Sequence, residues 1–393
     1  MISHLSAIEI LKNKSKNLKI DFLPLSKCLN LVSAQEVFAP INVPHFDNSA
    51  MDGYAFCYQD MQNELELNII NEIQAGTDKL IALKKNETVR IFTGAPIPIN
   101  ADTVIPQEDV FVENGILKFQ KNVPKYSNIR HIGSQTPKGS LILKKYSIIT
   151  PEYIGFLATF GITELAVFVK PKIGVIVTGK ELVKAGHSLE NYQIYESNSV
   201  FLSAAFQELG INLSFSIWVD DDKNELKKAI QENIQNCDIL IFSGGISVGD
   251  YDFVKPVLEE LGVHQSFYKV KQKPGKPLFF GTLKNTEIFA LPGNPSAVVM
   301  CYHTYIKPFV KAKMGIDGFD KKEYGILLNN YSKKPGLTHF LKAFVVNNKI
   351  EILPNQLSYQ MDSYAIANAF AVLPENQDNF QIGEKIEVIK FRN

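Results

Sequence analysis

Asp238-Ile239-Leu240-Ile241-Phe242-Ser243-Gly244-Gly245-Ile246-Ser247-Val248-Gly249-Asp250-Tyr251-Asp252 is the stretch on which the reading of this chain turns. Its first part is an unbroken apolar run of strand length, which predicts a strand buried on both faces. Ser243-Gly244-Gly245 then falls at the carboxyl end of that strand. Residues this small let backbone N–H groups approach a ligand without side-chain obstruction. A lone Gly-Gly turn is a weak signal; Ser247 and the carboxylates Asp250 and Asp252 strengthen it. A carboxylate beside an anion cradle is unfavourable for a bare phosphate and sensible where Mg2+ lies between them. The alternative is that both aspartates cap the following helix.

Outward from this stretch, strands and helices alternate from about 171 to 312. Strands are predicted at 172–178, 213–219 and 238–243, with two more around Gly281. Helices are predicted at 199–209, 223–235, 254–261 and 295–311. Such alternation implies a mainly parallel sheet covered on both faces, with ligands bound beyond the carboxyl ends of its strands. Before it, residues 1 to about 40 read as helical, with Ile8, Leu11, Leu25 and Leu29 as core candidates. Residues 45–130 read as a small β-rich domain of short strands between Gly, Pro and Asn turns. A helix opens at Thr150-Pro151-Glu152, where Thr can cap and Pro fits the first turn. After about 315 the chain returns to short strands and turns.

Two further loops fall on the carboxyl side of the predicted sheet. Lys273-Pro274-Gly275-Lys276-Pro277 fixes a rigid loop presenting two lysines, with Lys269 and Lys271 just before it. Lysine supplies a point charge suited to oxyanions. Leu291-Pro292-Gly293-Asn294-Pro295-Ser296 opens a helix whose free N–H groups would face a phosphate or similar group. Glu181, after Thr178-Gly179-Lys180, and Asp221 each lie just past a strand end, so these carboxylates can converge with Asp252. Surface solvation is the plain alternative for each. In the β-rich region, Ser49-Ala50-Met51-Asp52-Gly53-Tyr54 and Thr93-Gly94-Ala95-Pro96 read as turns carrying polar groups without a local reason.

Composition sets outer limits. A chain of 393 residues exceeds one ordinary core and predicts two to four domains. Its 41 basic and 41 acidic residues balance, which gives no electrostatic reason to bind nucleic acid or an anionic membrane. Cys28, Cys57, Cys237 and Cys301 show no paired spacing, so neither a zinc knuckle nor a disulfide framework is predicted and a reducing cytoplasm is the default. No apolar segment approaches the length of a membrane span, and no secretory leader is present.

Taken in order, these motifs resemble the molybdopterin molybdenumtransferases, the family of bacterial MoeA and the gephyrin E domain, nearly end to end. The resemblance implies a multidomain α/β plus β protein, elongated and dimeric. It has a three-layer α/β/α domain at 171–312, a β-rich domain at 45–130, a discontinuous linker domain at 1–44 and 131–170, and a β domain at 313–393. It implies transfer of molybdenum from molybdate to adenylylated molybdopterin with release of AMP, in the presence of Mg2+. The roles carried over are catalytic for Asp52, Glu181, Asp221, Asp252, Lys273 and Lys276, with Glu181, Asp221 and Asp252 as Mg2+ ligands. Substrate binding falls to Thr93, Gly94, Thr178, Ser243, Gly244, Gly245, Ser247 and Gly249, and to Pro274, Gly275, Pro292, Gly293, Asn294 and Ser296. Implied partners are a second copy of the chain, the adenylyltransferase of the same pathway and molybdoenzyme apoproteins. The chain departs from the family pattern at Ser134-Gln135, where Glu-Asp is usual, at Lys342, where Arg is frequent, and at Leu357-Ser358, where Gly-Ser is usual. Two other readings stay open at this level: a molybdopterin adenylyltransferase, whose single domain is similar to 171–312, and a gephyrin-like dimeric scaffold without catalysis.

Overall fold

The structure is a computed structural model that describes residues 1–16, 18–63, 66–78, 81–246, 252–320 and 322–392. Its described residues divide into two compact units, Met1–Asp21 with Phe168–Asn393, and Phe22–Val167.

The first unit is built on a six-stranded sheet. Helix α1 (His4–Lys14) precedes it in the chain; β1 (Ile173–Thr178), α2 (Asn198–Gln207), β2 (Phe215–Val219), α3 (Lys223–Asn233) and β3 (Ile239–Ser243) follow. Then come α4 (Val254–Glu260), β4 (His264–Tyr268), β5 (Phe279–Leu283), β6 (Thr286–Leu291), α5 (Pro295–Cys301) and α6 (Lys307–Lys313). A π-helical turn, Tyr302–Ile306, joins α5 to α6. The sheet order is β2-β1-β3-β6-β5-β4. The first four strands are parallel, and β5 runs antiparallel to both of its neighbours, β6 and β4.

Alternation along each strand sends side chains to two separate cores. Val175, Val177, Ile239, Ile241, Phe289 and Leu291 pack with Leu202 and Phe206 of α2, Val298 of α5, and Ala7 and Leu11 of α1. Ile176, Leu240, Phe242, Ile288 and Ala290 pack on the other face with Leu226, Ile230, Val254 and Leu258 of α3 and α4. The result is the three-layer α/β/α sandwich expected from the alternation. Past α6, five strands close on themselves, because β7 (Thr338–Val346) pairs with both Lys349–Ile352 and Ala369–Leu373. The short strand Gln272–Lys273 joins that small barrel along β7.

The second unit contains a six-stranded sheet in the order Thr103–Pro106, Gly53–Phe56, Glu87–Ile91, Leu67–Ile73, Ile116–Phe119, Val110–Glu113. A separate core gathers Leu25, Cys28, Ile142, Ile149, Leu157 and Phe160 around the helix Pro151–Ala158. Thr150 caps that helix, accepting a bond from the Tyr153 N–H.

Three expectations need correction. Among the described residues before position 40, only His4–Lys14 and the single turn Leu25–Lys27 are helical; Ile20–Pro24, Val32–Ser33 and Val37–Phe38 are strands. Pro24 cannot continue a helix, and Asn30 adopts a left-handed φ of 60°. Leu29 is exposed rather than core. Gly281 lies inside β5, and β4, which has no apolar run, went unpredicted. Met1–Asp21 falls in the same compact unit as the α/β sandwich.

Two buried histidines add a pH term to stability. Burial holds the folded pKa of His4 down to about 4 and that of His303 down to about 3. His303 stacks on Phe391 with ring centroids 4.6 Å apart, and its Nδ1 has no partner among the described residues. An unfolded histidine titrates near 6.5, so protonation favours the unfolded chain; this stability is complete above that pH and is lost as pH falls toward the folded values. Each histidine should contribute a slope of about 1.4 kcal/mol per pH unit between roughly pH 6 and 5. Thermal melts over that window should show Tm falling with pH, and less steeply in His303→Phe. Equal slopes in the two proteins would contradict the assignment.

Candidate functional site

β1, β3 and β6 end side by side: Val177 is opposite Ser243, and Ser243 opposite Leu291. The turns that leave these strands are Thr178-Gly179-Lys180-Glu181, Ser243-Gly244-Gly245 and Leu291-Pro292-Gly293-Asn294. They touch. The Gly244 N–H donates to the Leu291 carbonyl at 3.1 Å. Gly244 has φ +100°, and a Cβ there would stand 2.5 Å from the Thr178 carbonyl oxygen. Gly293 comes within van der Waals reach of Gly244, since a Cβ on Gly293 would lie 3.4 Å from the Gly244 Cα. Buried Asn198, at the start of α2, donates through Nδ2 to Ser243 Oγ (2.9 Å) and to the Gly293 carbonyl (2.7 Å), joining two of the turns.

Two buried polar atoms in this cradle lack a partner among the described residues: Thr178 Oγ1 and Asn294 Oδ1. A buried polar atom left unpaired costs about 1–3 kcal/mol, which marks a place where a ligand would complete the bonding. Asn294 uses its Nδ2 on Ser358 Oγ at 3.0 Å, and Ser296 Oγ and Tyr364 Oη stand 2.9 Å apart. The C-terminal barrel region therefore supports the turn that opens α5. Lys342, fully buried, holds that support in place: its Nζ donates to the Gln360 carbonyl at 2.7 Å and lies 5.3 Å from the Tyr364 ring centre. Burial lowers its pKa.

Acidic groups rim the cradle. The Trp218 indole N–H donates to the Gly179 carbonyl at 3.0 Å, and the Lys180 N–H to Asp221 Oδ2 at 3.3 Å, so the ends of β1 and β2 are tied together. Burial raises the Asp221 carboxyl above its ordinary range, and the charges of Glu181 and Asp220 push the same way. Like charges held this close are a donor set that a divalent cation relieves. Among the described residues no three carboxylate, histidine or cysteine groups converge on one point. Asp252 faces Tyr268, whose hydroxyl pKa it helps to raise after burial, and Tyr268 Oη donates to the Ile246 carbonyl at 3.1 Å. The residue that caps α4 is Phe253, with no side-chain capping bond. Ser247, Gly249 and Asp250 lie outside the described residues.

The lysine loop follows from the same architecture. Lys273 and Lys276 are exposed, flanking Pro274 and buried Gly275, and Gly275 rests on Met300 and Cys301 of α5. Lys273 pairs with His339 of β7; burial, then Lys333 and Lys273, hold His339 down to about 4.

Asp52, Thr93 and Gly94 belong to the second unit. Asp52 Oδ1 accepts from the Thr93 N–H (2.8 Å) and from Thr93 Oγ1 (2.9 Å), bonds that lower its pKa while it stays exposed. The Gly94 N–H donates to the Ser49 carbonyl at 2.8 Å, closing the two predicted turns on each other. Gln135, in the same unit, is exposed, and its N–H donates to the Val43 carbonyl at 3.0 Å.

A cavity of about 830 Å³ opens at the amino ends of β3 and β6 among Lys14, Lys16, Lys284, Asp238 and Glu287. In a parallel sheet the free N–H groups and the glycine turns gather at the carboxyl ends, so the cradle is the stronger candidate.

Three family models cover most of the chain: the MoeA N-terminal region (domain I and II) at residues 2–161, a probable molybdopterin binding domain at 174–312, and the MoeA C-terminal region (domain IV) at 324–391. A molybdopterin molybdenumtransferase of Haemophilus influenzae is 33% identical over 95% of this chain and 94% of its own length. One from Staphylococcus aureus is 31% identical over 98% and 94%. A solved MoeA protein of Pyrococcus horikoshii superposes with TM-score 0.85 at 29% identity over the whole of both chains. The chain belongs to the molybdopterin molybdenumtransferase family.

Sequence patterns missed Asn198, Trp218 and Tyr364, and named Ser358 only as a departure from the family pattern, because these residues reach the cradle from 39 to 95 positions away. At the departures Lys342 and Leu357, the Lys342 ammonium donates to the Gln360 carbonyl in the loop from which Ser358 meets Asn294.

The cradle makes a sharp prediction about its glycines. Gly244→Ala forces a Cβ against a backbone oxygen at a positive φ and should cost more than about 2 kcal/mol, in stability or in substrate affinity. Gly293→Ala meets only an ordinary contact and should melt within about 0.5 kcal/mol of the parent. Melting curves with equal losses for both variants would show that the close approach is not a constraint.

Proposed function

We propose that this protein transfers molybdenum from molybdate to adenylylated molybdopterin, cleaving the P–O–P link so that AMP leaves. The observation that carries the reading is the meeting of three strand-end turns around two buried polar atoms without a partner among the described residues, with a carboxylate pair on the rim. Thr178, Ser243, Gly244, Gly245 and Asn294 would cradle the phosphate and pterin polar groups through backbone N–H groups and side-chain amides. Ser247 and Gly249 are assigned to the same substrate by the resemblance alone, and Pro274, Gly275, Pro292, Gly293 and Ser296 would shape its site. Lys273 and Lys276 would meet an oxyanion. Glu181, Asp221 and Asp252 would hold Mg2+, which when bound neutralises charge on the transferring phosphate oxygens. Similarity that extends through the N-terminal and C-terminal regions supports this transferase over an adenylyltransferase.

The Asp52–Thr93 turn lies in a different unit from the cradle, and its carboxylate remains exposed. We propose that it serves the cradle of a second copy in a homodimer, and that the chain divides into the four domains of its family. Four free thiols suit the reducing cytoplasm. Among the described residues no helix is long and apolar enough to cross a membrane.

Glu181→Gln and Asp221→Asn should each reduce AMP release about 100-fold at saturating substrate while leaving Tm near that of the parent, since each removes a ligand worth several kcal/mol. Turnover within threefold of wild type at saturating Mg2+ would remove both carboxylates from the site. Mixing inactive Asp52→Ala and Asp252→Ala chains should restore part of the activity. No recovery after demonstrated subunit exchange would exclude the composite site.

A further inference from the structure

A single thread of buried polar groups crosses the apolar core of the first unit, from the amino end of α1 to the lysine loop. His4 Nδ1 stands 2.8 Å from Tyr305 Oη. Tyr305 Oη bonds Gln272 Oε1, and Gln272 Nε2 donates to the Gly275 carbonyl at 2.8 Å. Chemistry fixes every direction along it. A carbonyl only accepts, so Gln272 must turn its NH2 toward Gly275 and its oxygen toward Tyr305. Tyr305 has one hydrogen, which that oxygen takes. The phenol oxygen must then accept from His4, so His4 carries its proton on Nδ1. Nothing in the thread is interchangeable.

The surroundings add weight. His4 packs edge-on against Tyr305 and Phe340, with ring centroids 5.6 and 5.1 Å away. Tyr305 sits in the π-helical turn between α5 and α6, a feature often found at functional positions. The backbone repeats the connection. The Ile2 N–H donates to the Lys269 carbonyl (3.0 Å), and the Lys271 N–H to the Ile2 carbonyl (2.8 Å). On the other edge the Thr338 N–H donates to the Lys271 carbonyl at 2.9 Å. The arm leading into the loop is therefore held between the first residues of the chain and β7. An apolar core could be filled without these groups; a fully satisfied polar thread instead specifies one position for what it holds.

We propose that the N-terminal segment, through His4, is a positioning element for Lys273 and Lys276, fixing the loop that presents them to the oxyanion. This rests on the reading that those lysines bind the oxyanion, taken here as molybdate. His4→Leu and Tyr305→Phe fill similar space but break the thread, whereas His4→Asn can keep an N–H near the Nδ1 position. Loss of one buried bond predicts about a tenfold rise in the molybdate KM for AMP release, with kcat within about twofold. His4→Asn should return the KM to within about threefold of wild type. Lys276→Ala serves as the control for the loop itself. If it leaves the molybdate KM unchanged, the lysine reading falls and the inference with it. If Lys276→Ala raises the KM while Tyr305→Phe, melting as a folded protein, leaves it at the wild-type value, the lysines act but the thread does not position them. A His4→Leu chain too unstable to purify leaves Tyr305→Phe and His4→Asn to decide.

Discussion

The close approach of Gly244 to the Thr178 carbonyl is the constraint on which the rest of the site depends. With any side chain at 244, the turn after β3 would have to move away from the turn after β1. The bond from Gly244 to Leu291 and the bridge made by Asn198 would then lose their geometry. Because the strands are parallel and adjacent, this one contact sets the spacing of all three turns. The cradle is thus rigid for backbone reasons, and its chemistry comes from what the turns leave unsatisfied.

Charge is distributed unevenly in the unit that holds the cradle. The cradle supplies dipoles and amides, Glu181 and Asp221 supply clustered negative charge, and the loop at Lys273–Lys276 supplies exposed positive charge. Buried Lys342 has a different use: it spends its bonds on the Gln360 and Leu357 carbonyls, ordering the segment from which Ser358 and Tyr364 reach the start of α5. Its role is that of a local organiser.

Much of the α/β sandwich was legible in the sequence, because strands buried on both faces read as apolar runs and their glycine turns punctuate them. The turns that carry Thr178, Ser243, Gly244, Gly293 and Asn294, which the structure brings together, were legible for that reason. β4 was missed because His264-Gln265-Ser266-Phe267-Tyr268 has no such run, and 20–38 was misread because scattered leucines imitate a helical stripe in a segment that Pro24 and Asn30 break. Asn198, Trp218, Ser358 and Tyr364 act over long sequence separations, where no local period exists. The placement of α1 was equally hidden: its partner Tyr305 lies 301 positions away.

The central claim is that adenylylated molybdopterin occupies the turns after β1, β3 and β6. Trp218 is the one tryptophan of the chain, half exposed, with its indole bonded to the Gly179 carbonyl of that cradle. Its fluorescence therefore reports directly on the site. Titration with adenylylated molybdopterin should produce a saturable change in Trp218 emission, absent from Gly244→Ala at the same concentrations. An emission that stays constant while AMP is released, or an identical change in Gly244→Ala, would place the substrate elsewhere.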